Sequence, residues 1–199
     1  FRSCLSNNYG GLSTVKPAST LTDRTFQTAD KYIWKYLYTI SVEDQLKFTT
    51  SDFIPVKTLT IADGSTQWVV QSAAVDGAIN NIRVTAPGQN YHYNSTVTIS
   101  GDGSGANAFA LRNSSNVITE IVVDDPGYGY SRANVYIIGD GTGAAARSVI
   151  SPPGGHGSNP INELGGSYLM ISINMKGSEG NKITTTNDFR QVAIIADPM

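Results

Sequence analysis

A glycine-rich stretch in the second half of the chain has the residue types of a phosphate-binding loop. Residues 135–147 read VYIIGDGTGAAAR, an apolar segment followed by closely spaced glycines and then by small residues that could begin a helix. A dinucleotide site requires the strand, the loop and the helix together. Pro152 and Pro153 follow too soon for a crossover helix, and Asp-Gly is a strong hairpin signal. We therefore predict a tight turn between two strands here and no bound nucleotide.

The same stretch belongs to the second of two copies of a longer pattern. Its first part occurs twice, 39 residues apart: Ile79, Ile82, Val84, Pro87, Gly88 and Tyr91 recur as Ile118, Ile121, Val123, Pro126, Gly127 and Tyr130. Its second part recurs after 38 residues: Val97, Ile99, Gly101, Asp102, Gly103, Gly105 and Ala106 recur as Val135, Ile137, Gly139, Asp140, Gly141, Gly143 and Ala144. Such self-similarity marks a repeated supersecondary unit. We expect both copies to follow the same backbone path, with Pro87-Gly88 and Pro126-Gly127 as equivalent turns and the glycine-rich loops joining consecutive strands.

Four acidic side chains lie close to these turns. Asp124 and Asp125 could form the carboxylate pair of a glycan hydrolase, but the Pro-Gly pair that follows them is typical of a solvated turn. Asp102 and Asp140 could ligate calcium, which takes several oxygen ligands. One carboxylate in each loop is too few for that, and a turn with glycine at positive φ explains both loops more simply.

The residues that most often serve as nucleophiles, bases and zinc ligands are scarce. The chain has one cysteine, Cys4, and two histidines, His92 and His156. Cys4 with either histidine could supply a nucleophile and a base, but no third orienting group is identifiable, and the apolar segment around Cys4 suits an inert buried thiol. A zinc site is not expected from so few ligands. We predict that the chain is not an enzyme and has no catalytic, metal-binding or cofactor-binding residues.

Four tyrosines cluster at the corresponding turns of the two repeats, at Tyr91, Tyr93, Tyr128 and Tyr130. Exposed tyrosines at such turns could stack on a sugar or anchor a protein partner. Aromatic packing across the repeat interface is the more frequent alternative. We retain all four as candidate surface contacts of the repeat.

Composition bounds the fold class and excludes several partners. Apolar residues make up 40% of the chain and charged residues only 15%, with 20 glycines and 10 tyrosines. Sparse charge with many Thr, Val and Ile residues is typical of an all-β protein whose turns contain the glycines. The net charge of −2 gives no basic footprint for nucleic acid. No apolar run approaches the ~18 residues of a membrane span, so no membrane is expected as a partner.

The flanking segments contain further predicted elements. Residues 32–40 alternate with aromatic side chains on one face, which predicts a half-buried strand. Ser41 predicts a helical turn through a capping box with Asp44, and residues 53–56 predict an edge strand. A helix of about ten residues, capped by Asp63 or Ser65, or else a buried strand, is expected before Gly77. The last two strands are predicted at 168–175 and 189–196.

These elements predict a mainly β fold with one or two short helices. Residues 1–57 plus 155–199 are expected to form a discontinuous β-sheet or sandwich core, and residues 58–77 a connector with a short helix. The two-copy repeat is expected as an insertion at 78–154, its copies covering about 79–111 and 118–150. The Pro/Gly-rich loop from residue 151 returns the chain to the core.

The ends of the chain resemble a known family. YIWKYL at 32–37, FIPV at 53–56 and NDFRQVAIIADP at 187–198 are similar, in order and spacing, to segments of the baseplate wedge subunit of contractile-tailed bacteriophages. FRSCL at 1–5 also resembles the segment before that family's aromatic strand. The two terminal regions that contain these stretches, 1–57 and 155–199, make up about half of the chain. The repeat block has no counterpart there and is similar instead to glycine-rich β insertions of phage tail proteins.

The resemblance implies a structural, non-enzymatic virion protein of the tail baseplate, assembled in the cytoplasm of the host bacterium. It implies contacts with other wedge proteins and a homodimer. Candidate interface residues lie on the aromatic strand and near the C-terminus: Tyr32, Trp34, Tyr36, Phe189 and Ile194. Two alternatives remain open from the residues alone, a β module that binds carbohydrate or a host surface and a glycan hydrolase on a β scaffold.

Overall fold

The chain is mainly β, as predicted. The computed structural model describes residues 1–173 and 189–196, with 42% strand, 12% helix and three short helices. No helix within these residues is long and apolar enough to cross a membrane. The strands form a closed six-stranded barrel and two three-stranded sheets.

The barrel is built entirely from the repeat. Its strands are β5 (Ile79–Gln89), β6 (Thr96–Gly101), β7 (Asn107–Arg112), β8 (Ile118–Asp125), β9 (Ala133–Ile138) and β10 (Thr142–Ile150). Around the barrel they lie in the order β10-β5-β8-β7-β6-β9. Each copy contributes three strands, and the third strand of each copy pairs with the first strand of the other. The two copies are therefore interlocked, and β5 pairs only with strands of the second copy.

The strand registers show an internal two-fold axis. Ile82 lies opposite Ile121 and Thr98 opposite Tyr136, and both pairs occupy equivalent positions of the repeat. The pairing of β7 with β8 matches that of β10 with β5 residue by residue, including both register shifts. The prediction that the two copies share one backbone path is confirmed. Their apolar side chains fill the barrel as one core.

The glycine-rich loops join β6 to β7 and β9 to β10, as predicted. No helix follows Gly143, which lies in β10, so the phosphate-loop interpretation has no structural basis. Gly88 and Gly127 both have positive φ, at +65° and +60°. The Pro-Gly pairs were predicted as equivalent turns, but Pro87 and Gly88 extend β5 whereas Pro126 and Gly127 follow β8.

The ends of the chain form two small sheets rather than one layer. The first has the order β1 (Arg2–Asn7), β3 (Tyr32–Tyr36) and β2 (Phe26–Gln27). The second has the order β11 (Tyr168–Ile173), β12 (Phe189–Ala196) and β4 (Phe53–Val56). They meet where residues 193 and 195 of β12 pack against Leu37 and Tyr38, just after β3. The C-terminal strand therefore packs beside the aromatic segment, as expected, while the proposed domain boundaries stay a prediction.

The aromatic strand is shorter than predicted. β3 ends at Tyr36. Beyond it, Leu37 donates its N–H to the carbonyl of Phe1, and the ring of Tyr38 stacks on Phe1 at 4.9 Å. The strand predicted at 168–175 is described only to Ile173, and its last two residues lie outside the described ranges.

The helices begin at the predicted caps. α1 (Val42–Phe48) is capped by Ser41, whose hydroxyl accepts the N–H of Asp44, and is longer than the single turn expected. α2 (Thr66–Ser72) is capped by Ser65 and ends well before Gly77. α3 (Pro160–Glu163) was not predicted, although Asn159 followed by proline is an N-cap with proline at the first helical position.

Candidate functional site

Each glycine-rich loop holds the tyrosine of the opposite repeat. A Cβ placed on Gly141 would lie 2.5 Å from the ring of Tyr91, and one placed on Gly103 would lie 2.5 Å from the ring of Tyr130. Only glycine leaves room for these rings. The repeated glycines are therefore explained by packing between the two copies, without a ligand.

The aspartate of each loop binds the chain just after that tyrosine. Asp102 accepts hydrogen bonds from the backbone N–H groups of Ser131 and Arg132 and from the Ser131 hydroxyl. The Ser131 hydroxyl is the main reason that the pKa of Asp102 lies well below its ordinary value. These bonds fix the turn of the second copy against the loop of the first.

Asp140 plays the equivalent role for the first copy. It accepts the backbone N–H groups of His92 and Tyr93. Desolvation alone would raise the pKa of Asp140, but these N–H bonds together outweigh it and lower the pKa. Within the described residues, no group of three or more His, Cys, Asp or Glu side chains could hold a metal ion. Both carboxylates thus have structural partners within the barrel.

The four candidate tyrosines divide into two pairs. Tyr91 and Tyr130 are buried at 2% and 6% exposure, so they are core residues and not the surface contacts that we predicted. Tyr93 and Tyr128 are exposed and remain available to a partner. They occupy different positions of the repeat, since Tyr128 corresponds to Gln89.

Several of the candidate interface residues are buried or already make contacts within the chain. Tyr36 and Ile194 are buried, so they cannot form an open contact surface, which corrects that part of the prediction. Tyr32 and Trp34 are half-buried and stacked at 5.6 Å, with their polar atoms bonded to Gly11 O and Thr28 Oγ1. For Phe189 the structure describes the backbone in β12, and its side chain lies outside the described part.

An apolar face instead lies on the outside of the barrel. Four large side chains on β7 and β9 are between 41% and 60% exposed: Phe109, Leu111, Tyr136 and Ile138. Thr96 of β6 lies between Phe109 and Ile138 and pairs with both, so the side chains form a continuous row across three strands. We call these four residues the open face. In the barrel β6 lies opposite β5, three strands away. Because β1 of the first sheet packs against β5, the open face points away from the first sheet.

Comparison of the two repeats could have identified the open face from sequence. Three of its four residues are apolar only in one copy, because Arg147, Thr98 and Ser100 occupy the positions equivalent to Phe109, Tyr136 and Ile138. Leu111 is the exception, since its counterpart is Val149. Strand β7 also reverses the usual pattern, with alanines inside the barrel and large apolar residues outside. Where the equivalent position of the other copy is polar, the shared fold does not require an apolar side chain. An apolar residue in only one copy is therefore the sequence signal that could have indicated a contact surface.

The remaining candidates for catalysis are not brought together. Asp124 and Asp125 are exposed, and Asp125 accepts the N–H of Gly127 within its own turn. The thiol of Cys4 is exposed and donates to the carbonyl of Ser6 rather than to a histidine, and desolvation raises its pKa. His92 contacts Asp140 at 3.3 Å on the surface.

His156 forms the one histidine–carboxylate pair buried within the described chain. Its Nδ1 lies 2.6 Å from Glu163 Oε1, both side chains are 7% exposed, and Glu163 Oε2 accepts the N–H of Gly157. Desolvation alone would raise the pKa of Glu163, but the bonds from His156 and Gly157 outweigh it and lower the pKa. Nε2 of His156 has no partner, and no hydroxyl or thiol of the described residues bonds to the ring. The pair joins α3 to the loop before it, and the nearby Ser3 hydroxyl bonds to Glu163 rather than to the imidazole that would have to activate it.

We expect Glu163→Gln to lower the free energy of unfolding by about 1–3 kcal/mol at pH 7, because it weakens a buried charged hydrogen bond. Because the pKa of Glu163 is lower in the folded chain than in the unfolded chain, the ionised carboxylate stabilises the fold above the unfolded pKa of about 4.3. This stabilisation is lost as the pH falls through the folded pKa. The gap between wild type and variant should therefore narrow below about pH 4.3. Lys35 lies close enough to interact electrostatically with Glu163. Urea unfolding from pH 7 to pH 3 measures the gap, with exposed Asp124→Asn as control; a gap that widens on acidification would contradict the assignment.

Comparisons with known proteins add no relative. No family model matches the chain, and neither a curated protein nor a solved structure matches it. The open face of the barrel is the candidate functional site on the geometry of this chain alone.

Proposed function

We propose that the chain is a structural component of the baseplate wedge of a contractile phage tail and acts by protein–protein association. The observation that carries the proposal is the open face, a row of large apolar side chains on the side of the barrel away from the first sheet. Contiguous apolar surface of this kind marks interaction sites. The resemblance of the chain ends to baseplate wedge subunits supports the tail as the place of association.

The chemistry of the described residues suits association better than catalysis. The carboxylates of the repeated loops hold backbone N–H groups, and beside the buried His156–Glu163 pair the Ser3 hydroxyl bonds to the carboxylate rather than to the imidazole. Interlocking of the two repeats gives a barrel whose outer face is set by sheet registers rather than by a mobile loop. A rigid face of this kind suits a permanent contact. Other wedge proteins and a second copy of the chain are the proposed partners, within the virion.

The repeat supplies a matched variant for testing the open face. Phe109→Arg, Tyr136→Thr and Ile138→Ser replace each residue with the one that the other copy carries at the same strand position. The fold already accepts these residue types there, so the triple variant should fold normally while losing three of the four apolar side chains of the open face. Ile61→Ser, at an exposed apolar residue outside the barrel, is the control.

The experiment is complementation of a phage that lacks the chain, followed by electron cryomicroscopy of purified tails. We expect the wild-type chain and Ile61→Ser to occupy the baseplate with the open face covered, and the triple variant to be absent from it. Location of the chain elsewhere in the virion, or its absence from tails, would contradict the tail assignment. Incorporation of the triple variant at wild-type levels would contradict the role of the open face.

A further inference from the structure

A groove of mixed polar and apolar lining lies between the first sheet and the barrel, away from the open face. It has a volume of about 210 Å³ and is lined by residues of β5 and β8 on one side and by the ends of β1, β2 and β3 on the other. Ile82 and Ile121, which pair at the internal two-fold axis, form part of its lining. Sites for drug-sized ligands typically have volumes of about 300–1,000 Å³, so this groove is smaller than such a site. It therefore suits a small ligand or a single residue of a polymer.

The groove contains charged side chains that form no salt bridge with any described residue. The guanidinium of Arg83 stacks over the ring of Tyr9, 4.8 Å from its centroid, and the Tyr9 hydroxyl donates to Val84 O at 2.5 Å. Because Ile82 lies opposite Ile121, Arg83 lies opposite Glu120 across β5 and β8. Within the described residues, neither the Arg83 guanidinium nor the Glu120 carboxylate has a hydrogen bond or ion pair. The ammonium of Lys31 makes only a 3.5 Å contact with Gln27.

The rim of the groove is held in an unusual backbone conformation. Asn8, Tyr9 and Lys31 have φ of +45°, +56° and +66°, and they are three of the five non-glycine residues with positive φ in the described chain. Such conformations persist only where the surroundings hold them, and they concentrate at ligand sites. Here these conformations place the Tyr9 ring, the Asn8 amide and the Lys31 ammonium around one groove. These groups are therefore already in position before a ligand binds.

We propose that this groove binds an acidic sugar unit, a hexuronate, of a polysaccharide. Arg83 and Lys31 supply two cations for its carboxylate, and the guanidinium is suited to bind both carboxylate oxygens. Glu120 accepts hydrogen bonds from ring hydroxyls, and neutral polar side chains complete the lining: Ser6, Asn8, Gln27 and Thr119. Two cations against one carboxylate favour an anionic ligand. The number of neutral hydrogen-bonding groups favours a polyhydroxylated ligand over an amino acid.

The test is a titration of the isotope-labelled chain followed by heteronuclear NMR. The probes are galacturonate and glucuronate trisaccharides, their carboxyl-reduced neutral counterparts, and free glutamate. We expect at least one uronate to bind with a Kd of about 1 mM or tighter and to shift the amide signals of Arg83, Thr119 and Glu120. Its neutral counterpart should bind at least about tenfold more weakly, since it lacks the charged hydrogen bond to the cations. Glutamate should also bind at least about tenfold more weakly, since it has no ring hydroxyls for Glu120 and the neutral polar side chains.

Two variants and a control locate the ligand. Arg83→Val introduces the residue that Val122 supplies at the equivalent position of the other repeat, and it should weaken uronate binding about tenfold or more. Lys31→Gln removes the second cation, at the rim of the groove, and should independently weaken uronate binding. Arg132→Ala removes an equal charge from the exposed turn before β9, outside the groove, and should leave binding unchanged. Failure of both uronates to bind, equal binding of the neutral sugars or of glutamate, or unchanged binding by both groove variants would overturn the proposal.

Discussion

Tyr91→Ala should be among the most destabilising single substitutions in the barrel, lowering the free energy of unfolding by about 3–5 kcal/mol. Tyr91 is 2% exposed and belongs to the barrel core. Its ring lies against Gly141, and its hydroxyl accepts the N–H of Ala144, so truncation leaves both a cavity and an unpaired backbone donor. Tyr130→Ala should have a comparable effect, because Tyr130 fills the equivalent position against Gly103.

Tyr93→Ala is the matched control, two residues further along the same turn. Tyr93 is 75% exposed, and surface truncations usually change stability by no more than about 0.5 kcal/mol. Chemical unfolding monitored by circular dichroism would compare the three variants with wild type. Similar stabilities for Tyr91→Ala and Tyr93→Ala would show that Tyr91 does not belong to the core.

Gly103→Ala should destabilise the chain by about 2–3 kcal/mol through overpacking. A Cβ at this position would lie 2.5 Å from the carbonyl oxygen of Tyr128 and 2.5 Å from Cγ of Tyr130. Gly103 does not have positive φ, so the expected loss arises from steric overlap rather than from backbone strain. Neither the backbone carbonyl nor the buried ring can move without disturbing the contact between the repeats.

Gly11→Ala separates this steric effect from the general effect of replacing glycine. Gly11 also lacks positive φ, and its nearest neighbour to a new Cβ would be Asn8 O at 3.3 Å. At such a compatible site, alanine is neutral or stabilises by up to about 1 kcal/mol through the unfolded state. Thermal or urea unfolding measures both variants. A Gly103→Ala protein as stable as Gly11→Ala would refute the close packing of the loop on Tyr130.

Much of the barrel could be predicted from local sequence signals. The recurrence of Pro-Gly, Tyr and Gly-Asp-Gly predicted two equivalent backbone paths, and the Asp-Gly turn correctly excluded a helix after Gly143. Capping residues Ser41 and Ser65 correctly marked two helix starts. These signals succeed because turns and caps are decided by residues within a few positions of each other.

Closure of the barrel and exposure of single residues could not be read in the same way. Strand pairing across the two copies depends on long-range registers, and alternation alone does not say which neighbour covers a face. For this reason Tyr36 and Tyr91, predicted as contact residues, are buried, whereas the outer side chains of β7 and β9 were not identified. The groove that contains Arg83 likewise brings together residues that lie far apart in sequence.

Light scattering of the purified chain at micromolar concentration tests most directly whether the open face is an association surface. We expect wild type and Ile61→Ser to show twice the 21.2 kDa mass of the chain, and the Phe109→Arg, Tyr136→Thr, Ile138→Ser triple variant to show the monomer mass with an unchanged unfolding transition. A stable dimer should bury at least about 1,200 Å² in total. A wild-type chain that stays monomeric, or a triple variant that remains dimeric, would contradict self-association through this face.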